Sequence, residues 1–278
     1  MSNEAQTQSE EAYLASYNPL DYPPIAACVD VLALTIRDRK LCVLLIERDR
    51  QPAKGCWALP GGFINADDPA DPAEVAARVL ALKTGLGRVS KATFGRVHLE
   101  QLGTYGAAHR DPRMRVISIA YLAFAPDLPD PETGDYGVAA WVPVTELGLP
   151  EVLGDRDVTQ APGTSKKLAF DHAQIIADGI ERARSKLEYT PLGCAFVNEP
   201  FTVGELRSVY ESVWGEPLHA SNFHRKVLSV PGLVTAVEGK DSTRANPRGG
   251  PKARLYRRGD ARLLHPALLR PAREDDIR

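Results

Sequence analysis

The stretch WALPGGFINADDPADPAEVAARVLALKTGL, residues 57–86, decides how this chain is read. Its adjacent glycines, Gly61 and Gly62, let a backbone approach a ligand closely and turn N–H groups toward phosphate oxygens. A glycine pair alone marks only a turn; the helix after it gives it weight. ADDPADPAE, residues 66–74, is a turn-rich break. Asp71 is placed to cap a helix, Pro72 suits its first turn, and Glu74 can reach back to complete the cap. The helix is expected to run to about Thr84, with Gly85 as its left-handed terminator. Val75, Val79 and Leu82 recur at helical spacing and predict one buried face. If such a helix held a divalent metal over a diphosphate it would carry carboxylates, because Mg²⁺ takes oxygen ligands. This one carries valine, alanine, leucine and lysine.

Working outward, AACVDVLALTI (26–36) and KLCVLLIERD (40–49) read as two strands joined by a tight polar turn. Segments 93–106, 115–126 and 139–144 are further strand candidates, and 155–167 is a loop. LAFDHAQIIADGIERARSKLEY (168–189) is a long amphipathic helix that ends before Thr190-Pro191. Separate strand and helix runs predict an α+β sandwich with a mixed sheet. A second unit begins near Thr190. In FTVGELRSVYESVWG (201–215), Thr202 and Glu205 have capping-box spacing, Leu206, Val209, Tyr210 and Val213 form an apolar face, and Gly215 stops the helix. HASNFHRKVLSV (219–230) reads as a second helix with Phe223, Val227 and Val230 inward. Strand candidates 232–239 and 252–258 then flank a long Gly/Pro-containing loop. Helix, turn, helix and a hairpin with a basic tip is the pattern of a winged helix.

The charge supports two jobs. Residues 1–199 hold 20 Lys+Arg against 27 Asp+Glu, whereas residues 200–278 hold 14 against 9. A basic back half suits a nucleic-acid surface. No apolar run approaches the length of a membrane span. The N-terminus lacks the pattern of a secretory signal, and Cys28, Cys42, Cys56 and Cys194 show no paired spacing. A cytoplasmic, nucleoid-associated protein with reduced thiols is expected, without cofactor or structural metal.

The first stretch resembles the Nudix family. The family's box ends in Arg-Glu-apolar-x-Glu-Glu-x-Gly-apolar; here that end reads Arg78, Val79, Leu80, Ala81, Leu82, Lys83, Thr84, Gly85, Leu86. The arginine, the glycine and the apolar positions remain. Val79, Leu82 and Lys83 replace the glutamates, so the resemblance implies the fold without its pyrophosphatase chemistry. The interval from Gly62 to Arg78 is also longer than the box: counting forward puts Asp68, and counting back Ala70, at an earlier glutamate position. HLEQLGTYGAAHRDPRMRVISIAYLAF (98–124) is similar to the corresponding region of Nudix proteins that handle ADP-ribose and of their regulator relatives. The whole chain, from about residue 25 to 258, resembles the NrtR-type regulators, a Nudix-like domain followed by a winged helix.

This resemblance implies an α/β/α Nudix sandwich followed by a winged helix-turn-helix. The expected divisions are a flexible lead-in at 1–22, a ligand-sensing domain at 23–165, a connecting helix at 166–190, a DNA-binding domain at 191–265 and a tail at 266–278. It implies an ADP-ribose-like effector held by Arg48, Trp57, Gly61, Gly62, Phe63, Arg78, Gln101, Tyr105, Arg110, Arg113 and Arg115. Chemically the set is apt: arginine forks suit a diphosphate, Tyr105 or Trp57 could stack on adenine, and Gln101 could pair with a sugar or base edge. It implies a double-stranded, palindromic operator bound by a homodimer. Recognition-helix residues His219, Ser221, Asn222, Arg225 and Lys226 are expected at base edges, Asn222 suiting adenine and Arg225 guanine. Arg244, Arg248, Lys252 and Arg254 are expected at phosphates or a minor groove. His98, His172 and His224 read as structural histidines. Two departures stand out: the recognition helix is less basic than is usual in the family, and the wing is longer. The alternative is an active hydrolase that draws metal ligands from Asp67, Asp68, Asp71 or Glu100. A winged domain serving only protein contacts is disfavoured by its basic tip.

Overall fold

The apolar run near the start becomes the central strand of a mixed sheet. β1 (Ala26–Arg37) is buried on both faces over residues 28–35, as a continuous hydrophobic run should be. The computed structural model describes residues 9–65, 67–84, 97–126, 128–131, 138–150, 158–245 and 251–271. Gly85, Leu86, Arg248 and the side chain of Lys83 lie outside the described residues. The sheet is completed by β2 (Lys40–Glu47), β3 (Trp57–Ala58), β4 (Gly61–Phe63), β5 (His98–Tyr105), β6 (Val116–Phe124) and β7 (Ala139–Pro143). Its order is β3-β2-β1-β6-β5, with β4 on β1 and β7 on β2. β1 runs parallel to β6 and antiparallel to β2 and β4, which makes the sheet mixed.

Helices cover both faces. A short helix α1 (Glu10–Ser16) precedes the sheet, and all of its residues are exposed. α2 (Pro72–Thr84) packs on one face, where Val29, Val31 and Ala33 meet Val75, Ala76 and Leu80. α3 (His172–Tyr189) packs on the other, where Leu32, Leu34, Leu122 and Phe124 meet Ile175, Ile176 and Ile180. α3 approaches the strands closely at Gly179, where an added Cβ would collide with the Leu32 side chain.

Two expectations need correction. The buried stripe of α2 is Val75, Ala76 and Leu80, while Leu82 is 67% exposed and Val79 only half-buried. Spacings of three and four allow either stripe, and the position of β1 selects this one. α3 begins at His172 rather than Leu168. Residues 167–169 instead pair with Trp57, whose N–H donates to the Lys167 carbonyl (2.8 Å) and whose carbonyl accepts from Ala169 (2.8 Å). Phe170 then turns the chain with φ at 54°, a conformation that costs a non-glycine residue about 1 kcal/mol.

The second unit is a winged helix. It contains β8 (Phe201–Thr202), α4 (Val203–Trp214), α5 (Ala220–Ser229), β9 (Val234–Ala236), β10 (Thr243–Arg244) and β11 (Ala253–Arg258). β11 pairs with β8, β9 and β10. The capping box forms as the sequence predicts. The Thr202 hydroxyl accepts from the Glu205 N–H (3.1 Å), and the Glu205 carboxylate accepts from the Thr202 N–H (2.7 Å). Gly215 ends α4 with φ at 79°.

The two units share one core. Leu32 and Leu122 of the sheet belong to the same cluster as Leu206, Tyr210 and Val227. The β1–β2 hairpin docks on α4: its turn residues Asp38 and Arg39 have φ of 47° and 61°, and the Arg39 carbonyl accepts from the Ser212 hydroxyl (3.0 Å). The Arg184 side chain of α3 donates to the Val213 carbonyl (3.2 Å), and the Arg184 carbonyl accepts from the Trp214 indole (3.2 Å). The chain after β11 folds back on α3, where Leu268 donates to the Glu188 carbonyl (2.9 Å) and Arg270 is ion-paired with Glu181 and Glu188. Among the described residues no helix is long and apolar enough to cross a membrane.

Candidate functional site

The glycine pair divides its work. Gly61 lies against β1, where an added Cβ would collide with the Asp30 carboxylate and sit 2.5 Å from the Val29 carbonyl oxygen. Packing alone therefore demands glycine there. Nothing lies within 4 Å of a Cβ built on Gly62, so its outer side is open to a ligand. Beneath the pair sits a buried polar cluster. Asp30 accepts from the Ser118 hydroxyl (2.5 Å) and faces Arg110 at 3.6 Å. His172 Nδ1 accepts from the Leu59 N–H (2.9 Å), which pins the LPGG segment to the start of α3. Burial holds the His172 pKa below its ordinary value, so the imidazole is neutral and can accept. Burial, with the nearby Asp30 charge, pushes the Cys28 thiol up to about 11, which keeps it protonated.

Arg110 belongs to this frame, not to a ligand surface. Its side chain is 4% exposed and grips Asp171 with two hydrogen bonds, at 2.8 and 2.7 Å. It is therefore corrected from ligand contact to structural ion pair. Tyr105 is also engaged, its hydroxyl donating to Asp178 on α3 (2.8 Å). Burial and that bond raise the Tyr105 pKa, so it stays a neutral donor. Gln101 sits at a β-bulge opposite Tyr121, on the α2 side of the sheet, away from Tyr105 and Asp178. Arg78 is ion-paired with Asp68 and ties the preceding loop to α2. Arg115 is exposed at the start of β6.

Two arginines remain at the open face, each stacked on a phenylalanine. The Arg113 guanidinium lies 5.1 Å from the Phe63 ring and pairs with Asp111 at 2.6 Å. The Arg48 guanidinium lies 4.9 Å from the Phe170 ring, and its Nε donates to the Pro52 carbonyl (2.8 Å). Among the described residues Arg48 makes no ion pair. Partial burial, with the like charge of Arg113, lowers its pKa. Trp57 borders this region with Lys166 Nζ 4.3 Å from its ring. The residues that build the frame and were not singled out in sequence are Asp30, Lys166, Phe170 and Asp171. Of these, Phe170 and Asp171 were hidden inside an apparently continuous helical pattern.

The described residues do not assemble a Nudix metal site. Among the described residues no group of three His, Cys, Asp or Glu side chains is placed to hold an ion. Asp68 is occupied by Arg78 and by the Ala70 N–H (3.0 Å), which together depress its pKa. Asp71 accepts from the Glu74 N–H (2.9 Å), and Glu74 accepts from the Asp71 N–H (3.2 Å), so both are spent on capping α2. Glu100 points to the other face of the sheet, where it meets Lys186 at 2.7 Å and His98 at 3.2 Å.

In the winged helix, α5 buries Phe223 and Val227 and exposes Ser221, Asn222, His224 and Arg225. His224 is thus a surface residue rather than a structural histidine. His219, Asn222 and the half-buried Lys226 border a cleft of about 290 Å³ whose far wall is Leu268, Leu269 and Pro271. Arg244, although exposed, is engaged: it pairs with Glu205 (2.7 Å) and donates to the Pro200 carbonyl (2.6 Å), bracing the wing against the cap of α4. Lys252 and Arg254 are exposed.

Known proteins match both halves. Residues 26–161 match the model of the NUDIX domain, and residues 193–257 match the NrtR DNA-binding winged helix domain. The ADPR responsive transcriptional repressor NtrR of Acinetobacter baylyi is 29% identical over 92% of this chain and 91% of its own. The ADP-ribose pyrophosphatase of Methanocaldococcus jannaschii is 34% identical over 49% of this chain and 64% of its own. Shewanella oneidensis NrtR, solved with a 27mer DNA, superposes with a TM-score of 0.59 at 26% identity, over 86% of this chain and 99% of that one. Its isolated NUDIX domain, solved with ADP ribose, gives 0.50 at 29% identity, over 63% and 99%. With a Nudix sheet and an NrtR winged helix joined through α3, the chain belongs to the NrtR family of Nudix-related transcriptional regulators.

Proposed function

We propose that this protein is a DNA-binding repressor whose Nudix half senses ADP-ribose, or a closely related nucleotide-sugar, without consuming it. The observation that carries the proposal is the pair of stacked arginines, Arg48 on Phe170 and Arg113 on the exposed Phe63 that follows the glycine pair. A diphosphate would give Arg48 the anion it lacks and relieve its repulsion with Arg113. The exposed ring of Phe63 offers a base or sugar a surface to stack on. Val79, Leu82 and Lys83 stand where the family's catalytic glutamates would be, so the bound diphosphate would meet no metal to activate its cleavage.

Sensing then requires only that the effector favour one arrangement of the two units. A differential affinity of a few kcal/mol moves DNA occupancy substantially. α3 begins under the ligand face and packs against α4 through Arg184, and it is the element proposed to couple the two. A two-fold dimer on a palindromic operator, in the cytoplasm, completes the proposal. The test is binding of a fluorescent duplex from upstream of the protein's own gene, at near-physiological salt, beside a scrambled duplex. Selective binding near 10⁻⁸ M that ADP-ribose shifts is expected; equal, weak binding to both duplexes would count against it.

The second reading is a hydrolase with a basic accessory domain, favoured by the similarity of the Nudix half to an ADP-ribose pyrophosphatase. Mg²⁺-dependent release of AMP from ADP-ribose would establish it. The engaged states of Asp68, Asp71 and Glu100 favour no release.

A further inference from the structure

We propose that this chain reads its operator through a stripe of α5 formed by Ser221, His224, Arg225 and Leu228, and that a thymine methyl against Leu228 is part of the sequence read. The inference rests on the DNA-binding proposal and goes beyond it by naming the face and the base chemistry. The four positions are spaced three, four and seven apart, so they share one side of the helix. They lie opposite Phe223 and Val227, which are 4% and 0% exposed. Leu228 is 47% exposed, an apolar side chain left in water at the middle of a polar face. Such a side chain fits one feature of the major groove, the thymine 5-methyl group. Arg225 beside it offers a fork to guanine O6 and N7, and His224 a ring N–H to a base acceptor.

The same geometry moves Asn222 and Lys226 off the centre of the face. Both border the cleft closed by Leu268, Leu269 and Pro271. That wall is fixed to α3 by the Arg270 ion pairs with Glu181 and Glu188. A duplex that approached from this flank would first meet the folded-back tail. The open approach is over His224 and Arg225, so the half-site is expected to place a thymine next to a guanine.

The experiment selects duplexes from a random pool with the full-length protein, then measures affinity for the best duplex and for a copy with deoxyuridine replacing thymine. Loss of one buried methyl is expected to weaken wild-type binding about fourfold. Leu228→Ala should weaken binding to the parent duplex by a similar factor and respond no further to deoxyuridine. His224→Ala should lose about tenfold, and more than Asn222→Ala. All three side chains are exposed, so their thermal melts should match the wild type and exclude misfolding. If Leu228→Ala remains as methyl-dependent as the wild type, or Asn222→Ala costs more than His224→Ala, the assignment of this face is wrong. If the wild type enriches no duplex at all, the DNA-binding proposal itself fails, and this one with it.

Discussion

α2 and α5 are built alike and have diverged in opposite directions. Each buries an apolar stripe: Val75, Ala76 and Leu80 in one, Phe223 and Val227 in the other. On α2 the outward positions offer little polar chemistry: Leu82 is exposed to solvent and Arg78 is tied to Asp68. On α5 the outward positions carry a histidine and an arginine with their polar ends exposed. The buried stripe fixes each helix in its fold. The outward side chains are free to change, and with them the function. On the proposed reading, a Nudix frame can therefore carry a different outward chemistry.

If frame and outward chemistry separate in this way, frame substitutions should unfold the protein and outward ones should not. Asp171→Ala is the sharpest break, because it removes both close hydrogen bonds of the buried Arg110 and leaves it only Asp30 at 3.6 Å; denaturant unfolding should show a loss of about 3 kcal/mol. Arg48→Ala should act on binding instead. Calorimetric titration should show ADP-ribose affinity falling by about 1.5–3 kcal/mol, the worth of hydrogen bonds to a charged group. Gly61→Ala should cost about 1–3 kcal/mol through overpacking against Asp30, whereas Gly62→Ala should leave stability within about 0.5 kcal/mol.

His172 gives the frame a pH dependence. Its folded pKa is depressed by burial, so the unfolded state takes up a proton that the folded state refuses. Stability therefore falls as pH drops below the ordinary imidazole value of about 6.5, by at most about 1.4 kcal/mol per pH unit from this one group. His172→Gln should flatten that part of the pH profile. The smallest effect belongs to Leu82→Glu: restoring one carboxylate at a 67%-exposed position should change stability by less than about 0.5 kcal/mol. If it unfolds the protein, α2 is part of the frame on both faces.

Much of this was legible in the sequence because local rules decided it. The caps at Asp71 and Thr202 and the stop at Gly215 are short-range signals, and each matches the structure. The features that escaped depend on long-range packing. Val79 and Leu82 satisfy helical spacing as well as Leu80 does, and only the position of β1 tells them apart. Residues 168–171 fit a helix by pattern, yet Trp57 takes the Lys167 carbonyl and the Ala169 N–H, and Arg110 takes the Asp171 side chain. A list of arginines names candidate anion ligands; it does not show that Arg110 already has its carboxylates and that Arg48 has none. His224 read as structural and proves exposed: it lies one residue, a turn of about 100°, along the helix from the buried Phe223.

The central claim is that the Nudix half holds its nucleotide without consuming it and reports the binding to DNA. One time course tests both parts: the anisotropy of a fluorescent operator duplex bound to the protein, followed for hours after ADP-ribose and Mg²⁺ are added. The account predicts a prompt change that corresponds to at least a tenfold shift in DNA affinity and then stays constant. No change, or a change that decays back as the effector is cleaved, would contradict it.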